Sequence, residues 1–90
     1  SYVPMFFFYS NEREDSFLSD KTEKVSFLVG NFNNKYKEKV KLYYFDVNLD
    51  VEIINELKKK YNITNPPVVV IKEQKVVPDN INDLEKFIEK

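Results

Sequence analysis

The chain contains no cysteine and no histidine among its 90 residues. The first absence excludes disulfides, thiol redox chemistry and thiolate metal sites. It leaves the compartment open, because a cysteine-free domain folds in either redox environment. The second absence removes the commonest general base and metal ligand. No apolar run approaches the roughly 20 residues that a membrane helix needs. The net charge is −1, so no global field draws the chain to nucleic acid or to acidic lipid. We expect neither a nucleic-acid nor a membrane partner. The first residue is Ser1 and Met5 lies inside a strand-like run, as expected of a processed protein or an excised domain.

Apolar material is plentiful. Hydrophobic residues make up 42% of the chain, including eight phenylalanines and six tyrosines, enough to build the core of one small domain over 1–90. Val3 to Tyr9 (Val-Pro-Met-Phe-Phe-Phe-Tyr) is too short for a helix and shows no polar alternation. It reads as a central strand covered on both faces, with Pro4 tolerable near its start. Residues 16 to 38 show helical spacing: Val25, Leu28, Val29, Phe32 and Tyr36 form one stripe. Ser19 or Asp20 offers a cap, so a kink near Asp20-Lys21 or two helical pieces is expected. Gly30, the only glycine, falls inside this helix, and close packing against a strand would explain it.

Val40 to Val47 reads as the next strand. A helix over 50–61 follows, capped by Asn48 or Asp50. Ile53, Ile54, Leu57 and Tyr61 form its buried stripe, and Lys58, Lys59 and Lys60 complement its C-terminal dipole. Asn62 suits a left-handed helix stop and Ile63 an apolar plug. Pro66 and Pro67 then forbid helix and remove two backbone donors. Val68-Val69-Val70-Ile71 is a β-branched run and a buried strand, spanning 67–72. Glu73-Gln74 reads as a tight connection to a short strand at Lys75-Val76-Val77. The last helix spans 82–90, with Asn82 as cap, Glu85 as its capping-box partner and Ile81 at the staple position. The order is β-α-β-α-β-β-α. A helical crossover makes the first two strands parallel, and the last two form a hairpin. The strand over 67–72 should lie antiparallel to Val3–Tyr9.

Tyr61-Asn-Ile-Thr-Asn-Pro-Pro, followed by a strand, resembles the thioredoxin superfamily's "Tyr-Gly-Ile/Val-x-x-x-Pro" passage. In that family the proline is cis and faces the active site. Pro67 matches it, and Pro66 fills a position usually aliphatic. Phe7-Phe8-Tyr9-Ser10, Tyr44-Phe45-Asp46-Val47-Asn48 and the terminal Leu84-Glu-Lys-Phe-Ile-Glu-Lys90 extend the resemblance over the chain. It implies a thioredoxin-like α/β fold: a four-stranded mixed sheet with helices on both faces and a cis Pro66–Pro67 bond.

The family's Cys-x-x-Cys would fall at Arg13-Glu14-Asp15-Ser16, with Arg13 in place of the nucleophile and Ser16 in place of the resolving thiol. With no cysteine anywhere, redox activity by the family mechanism is excluded. The structural reading is that Asp15 or Ser16 caps the helix while Glu12, Glu14 and Asp15 complement its positive end. The functional reading is that this acidic loop, beside Pro67, is a docking surface, and the two are compatible. Other signals read as surface. Glu12, Glu14 and Asp15 have no second acidic cluster converging with them as a hydrolytic carboxylate pair or hard-cation site would require. Glu38 interrupts the lysines at 35, 37, 39 and 41. Asn62-Ile63-Thr64 is a formal glycosylation sequon on a helix stop.

The resemblance therefore points to a non-catalytic module that binds a protein or extended peptide. Its expected site is Arg13, Glu14, Asp15, Ser16, Pro66 and Pro67, with no cofactor and no metal. The alternatives are an enzyme domain holding a thiol substrate such as glutathione at the cis-proline, and an architectural domain of a longer chain. Tyr9 and Ser10 resemble the activating Tyr or Ser of glutathione transferases, but the Glu-Ser of that family after the proline strand is absent, with Val70 and Ile71 in that region instead.

Overall fold

A computed structural model describes residues 1–11 and 16–88, the side chains of 16–18 excepted. The elements are β1 (Val3–Tyr9), α1 (Ser16–Lys35), β2 (Val40–Asp46), α2 (Glu52–Lys60), β3 (Val68–Ile71), β4 (Gln74–Val76) and α3 (Asn82–Glu85). The four strands form one mixed sheet in the order β2-β1-β3-β4. β1 runs parallel to β2, from Val3 opposite Val40 to Tyr9 opposite Asp46. It runs antiparallel to β3, from Met5 opposite Ile71 to Phe8 opposite Val68. The β3–β4 pair is an antiparallel hairpin.

The apolar run of β1 divides by parity, as a pleated strand requires. Met5 and Phe7 point into a core with Val25, Val29 and Phe32 of α1, Leu84 of α3, and Val40, Val69 and Ile71 of the sheet. Phe8 points the other way, with Val68, Val70 and Ile63, and Phe6, Phe45, Leu57 and Tyr61 close that second cluster. α1 and α3 therefore cover one face and α2 the other. Aromatic edges reinforce the α2 side: Phe6 meets Phe45 at 5.6 Å and Tyr43 at 5.7 Å between ring centroids, spacings at which such pairs attract beyond their buried area.

Several local expectations are corrected. α1 runs from Ser16 to Lys35 without a break, so Ser19 and Asp20 lie within it and start no second piece. Tyr36 to Lys39 form turns instead of its last coil. Gly30 is not pressed against a strand: a Cβ built there meets nothing within 4 Å. α2 starts at Glu52 with Val51 at the cap position and no side-chain cap. Asp50 instead accepts a hydrogen bond from Asn55 Nδ2 at 2.9 Å. Ile53 is 57% exposed, because a helix lying on one sheet face buries only the narrow stripe of Ile54, Leu57 and Tyr61. The hairpin turn is Lys72-Glu73, with φ of 51° and 66°. Two consecutive positive φ values are the signature of a type I′ turn, whose twist matches the strands, so β4 begins one residue earlier than expected.

Glu85 is not a capping-box partner. Asp83 reaches back instead, accepting from the Asp79 N–H at 2.8 Å and the Asn80 N–H at 3.3 Å. α3 is a single short helix that ends at Glu85 and continues as turns. Glu85 is buried. Its Oε2 accepts from Lys35 Nζ at 2.7 Å and from the Tyr36 hydroxyl at 2.6 Å. These bonds tie the C-terminal end of α1 to α3. They hold the Glu85 carboxyl below its ordinary value, chiefly through the Lys35 bond and then the Tyr36 bond, against the opposing effect of desolvation. The same contact raises Lys35 and Tyr36.

Two outcomes follow. Gly30→Ala fills open space in an α-helix and should stabilise the fold by about 0.5–1 kcal/mol, read as a higher urea midpoint at unchanged m-value. Glu85's contribution is complete above the unfolded carboxylate value of about 4.3 and is lost as pH falls through its lowered folded value. Glu85→Gln should therefore lower stability at pH 7 and flatten its decline between about pH 5 and 3, measured by urea unfolding across that range.

Candidate functional site

The chain leaves α2 through a complete Schellman turn. Asn62 takes a φ of 54°, its N–H bonds to the Lys59 carbonyl at 3.2 Å, and the Ile63 N–H bonds to the Lys58 carbonyl at 2.9 Å. Both bonds satisfy carbonyls that a helix end leaves open, and the apolar residue after the left-handed position packs back onto the helix. Ile63 does so, buried beside Leu57. This turn aims residues 64–67 across the end of the sheet. The Pro66–Pro67 bond is cis. Pro67 is fully buried and Pro66 partly so. Neither has a backbone N–H, so the main chain at this corner presents carbonyl acceptors until Val68.

A pocket of about 260 Å³ opens beside this segment, lined by residues on either side of the prolines in sequence and not by the prolines themselves. Asn62, Ile63, Thr64 and Asn65 line it from before the prolines, and Val68 with Lys75, Val76 and Val77 from after them. Its existence follows from strand lengths. β4 ends at Val76, opposite Val69, so Val68 has no strand partner on that side. The resulting notch has an apolar floor of Ile63, Val68 and Val76 and a polar rim. On the rim Asn65 Nδ2 donates to Thr64 Oγ1 at 3.4 Å, and Lys75 Nζ donates to the Asn62 carbonyl at 3.0 Å. The Lys75 bond pins β4 to the helix stop.

A second polar group sits at the carboxyl ends of the two parallel strands, the end at which open α/β sheets place ligands. Asp46 Oδ1 accepts from the Asn48 N–H at 2.9 Å, and Oδ2 accepts from Asn11 Nδ2 at 2.8 Å. The Asn48 amide and the Ser10 hydroxyl are bonded at 3.1 Å. Lys58 Nζ donates to the Val47 carbonyl at 3.1 Å, binding α2 to this loop. Tyr9 is stacked on Phe7 at 5.7 Å and meets Tyr44 edge-on at 6.4 Å. Tyr9 and Ser10 are thus engaged in packing and in a bonded loop.

Of the expected site residues, Pro66 and Pro67 are at the corner. Arg13, Glu14 and Asp15 lie outside the described residues, and Ser16 opens α1. The lysines at 35, 37, 39 and 41 are all exposed, as a solvated face requires, and Lys35 is in addition paired with Glu85. Asn62 carries the expected left-handed stop. The pocket residues Thr64, Asn65, Val76 and Val77 were not singled out by the sequence, where they read as loop and hairpin. The one available signal was the brevity of the strand after Gln74. Among the described residues no group of acidic side chains is arranged to hold a metal ion, and no helix is long and apolar enough to cross a membrane. No protein-family model matches the chain, and no curated protein matches it significantly.

Asp46 anchors the loop after β2 through both oxygens, so Asp46→Ala should cost about 0.5–1.5 kcal/mol. The loss should appear as faster amide exchange at Asn48, with β1 and β3 amides still as strongly protected as global stability allows.

Proposed function

We propose that the chain is a non-catalytic, thioredoxin-like domain that docks an extended protein segment at the Pro66–Pro67 corner. The observation that carries this reading is the notch between the 62–65 loop and the end of β4. Its apolar floor and polar rim match the composition of small binding sites, in which a few polar groups orient an otherwise apolar contact. Its volume of about 260 Å³ is ample for an aliphatic or aromatic side chain. The order β2-β1-β3-β4, with helices on both faces, supports the thioredoxin-like resemblance.

The corner also restricts how a strand is held. Strand addition draws its affinity from main-chain bonds and its selectivity from side-chain pockets. Two successive prolines remove the donors here, so a bound segment must donate its own N–H groups to the Asn65 and Pro66 carbonyls. Thr64 and Asn65 supply the side-chain donors of the rim. The segment favoured is one with a large apolar residue flanked by residues with free backbone N–H groups, and proline next to that residue should be selected against.

Titrating ¹⁵N-labelled protein with short extended peptides bearing a central Leu or Phe should shift amides within 62–68 and 75–77. Val77→Asp should remove those shifts while leaving stability within roughly 0.5 kcal/mol, as expected of an exposed position. Shifts centred elsewhere, or none at millimolar peptide, would refute the corner as the docking site.

A further inference from the structure

The two edges of the sheet are unequal. β4 is three residues long, and Gln74 and Lys75 on it are exposed. Short length and lysine are standard guards against edge pairing. β2 is seven residues long and pairs only with β1. It contains no proline or glycine, and among the described residues no other strand pairs with its outer side. Tyr43 and Tyr44 at its middle are 42% and 52% exposed, one on each face of the sheet. Lys41 is its only basic residue.

We propose that β2 pairs edge to edge and antiparallel with β2 of a second copy of this chain. Charge selects both this partner and this direction. The end of β2 that follows α1 is basic, with exposed Lys37, Lys39 and Lys41 against the single acid Glu38. The other end carries more acid than base: Asp46 ends the strand, Asp50, Glu52 and Glu56 gather around Lys59, and Lys58 is held on the Val47 carbonyl. An antiparallel two-fold lays the basic end of one copy beside the acidic end of the other, twice, and a parallel arrangement sets like against like. The net charge of −1 leaves little overall repulsion between copies.

Geometry fixes the register. A two-fold axis perpendicular to the sheet keeps each face continuous, so partners share parity. Full overlap of Val40–Asp46 then centres the axis on Tyr43. Lys41 faces the partner's Phe45, and Leu42 faces the partner's Tyr44. The first contact is aromatic with cationic and the second apolar with aromatic, both favourable cross-strand pairs. Two seven-residue strands bury less than the roughly 1,200 Å² of a stable interface, so the dimer is weak, with a dissociation constant on the order of 10–100 μM.

Sedimentation equilibrium from about 5 to 500 μM tests this directly. The wild type should shift from monomer to dimer, and association should weaken several-fold in about 0.5 M salt. Tyr44→Lys should raise the dissociation constant about tenfold or more, with its fold verified by far-UV circular dichroism. Because the chain has no native thiol, Tyr43→Cys is a clean register probe. Directly paired residues lie about 4.5–5.5 Å apart between Cα atoms, within disulfide range. Tyr43→Cys should therefore oxidise to a covalent dimer faster than the collision control Lys24→Cys. A monomer at 500 μM overturns the proposal, as does a dimer indifferent to Tyr44→Lys or a Tyr43→Cys that oxidises no faster than the control. None of these outcomes bears on the Pro66–Pro67 corner, which lies on the other side of β1.

Discussion

Everything in this fold answers to β1. Seven residues, almost all apolar, lie between two strands, and large side chains leave both faces. One helix cannot cover such a strand. Met5 and Phe7 require α1 and α3 on one side, while Phe6 and Phe8 require α2 on the other. A parallel partner requires a crossover, which α1 supplies between β1 and β2. The antiparallel partner β3 is buried along its whole length, so it too must lie inside the sheet. These demands leave β2 and β4 for the edges. The Glu85 contact with Lys35 and Tyr36 is where the covering layer is fastened: without it, α3 would rest on the core by Leu84 and its apolar neighbours alone.

The corner that carries the functional reading is a consequence of the same arrangement. α2 must end and the chain must re-enter beside β1, on the far side from β2. The Schellman turn at Asn62 and the proline pair accomplish that re-entry. A side effect is the stripping of backbone donors from the segment that crosses the end of the sheet. Where a sheet end with free N–H groups could pair with many extended chains, a chain docked here as proposed would have to donate its own. The shortness of β4 adds the side-chain pocket.

Much of the architecture is legible in the sequence because burial imposes periodicity. Met5, Phe7 and Phe8 of β1, the stripe of Val25, Val29 and Phe32, and the β-branched β3 are all buried. The Asn62 stop is legible because backbone geometry selects the residue type. Illegible features are those where sequence offers a plausible role that tertiary contacts overrule. Ser19 and Asp20 are good caps, yet α1 simply runs through them. Asn82 and Glu85 have capping-box spacing, but Lys35 and Tyr36, distant in sequence, claim Glu85. Gly30 suggested a close approach that is absent. The turn at Lys72-Glu73 adopts positive φ without glycine or asparagine, the usual signal. The pocket at the corner is shaped by where β4 stops, a property of the hairpin and not of any residue type.

The unequal edges connect the corner to the proposed pairing. In an antiparallel β2–β2 dimer, five inter-strand steps separate β3 of one copy from β3 of the other, roughly 24 Å at about 4.8 Å per step. The two-fold axis turns the corners to opposite ends of the shared sheet, and neither pocket is covered. Such an object would hold the two proposed docking sites at fixed separation. An extended segment binding one notch with modest affinity gains effective concentration for the second when it is presented twice, provided the connection spans both sites. Self-association through β2, if it occurs as proposed, would turn a corner poor in backbone donors, and therefore weak for any single strand, into a bivalent surface selective for paired or repeated ligands.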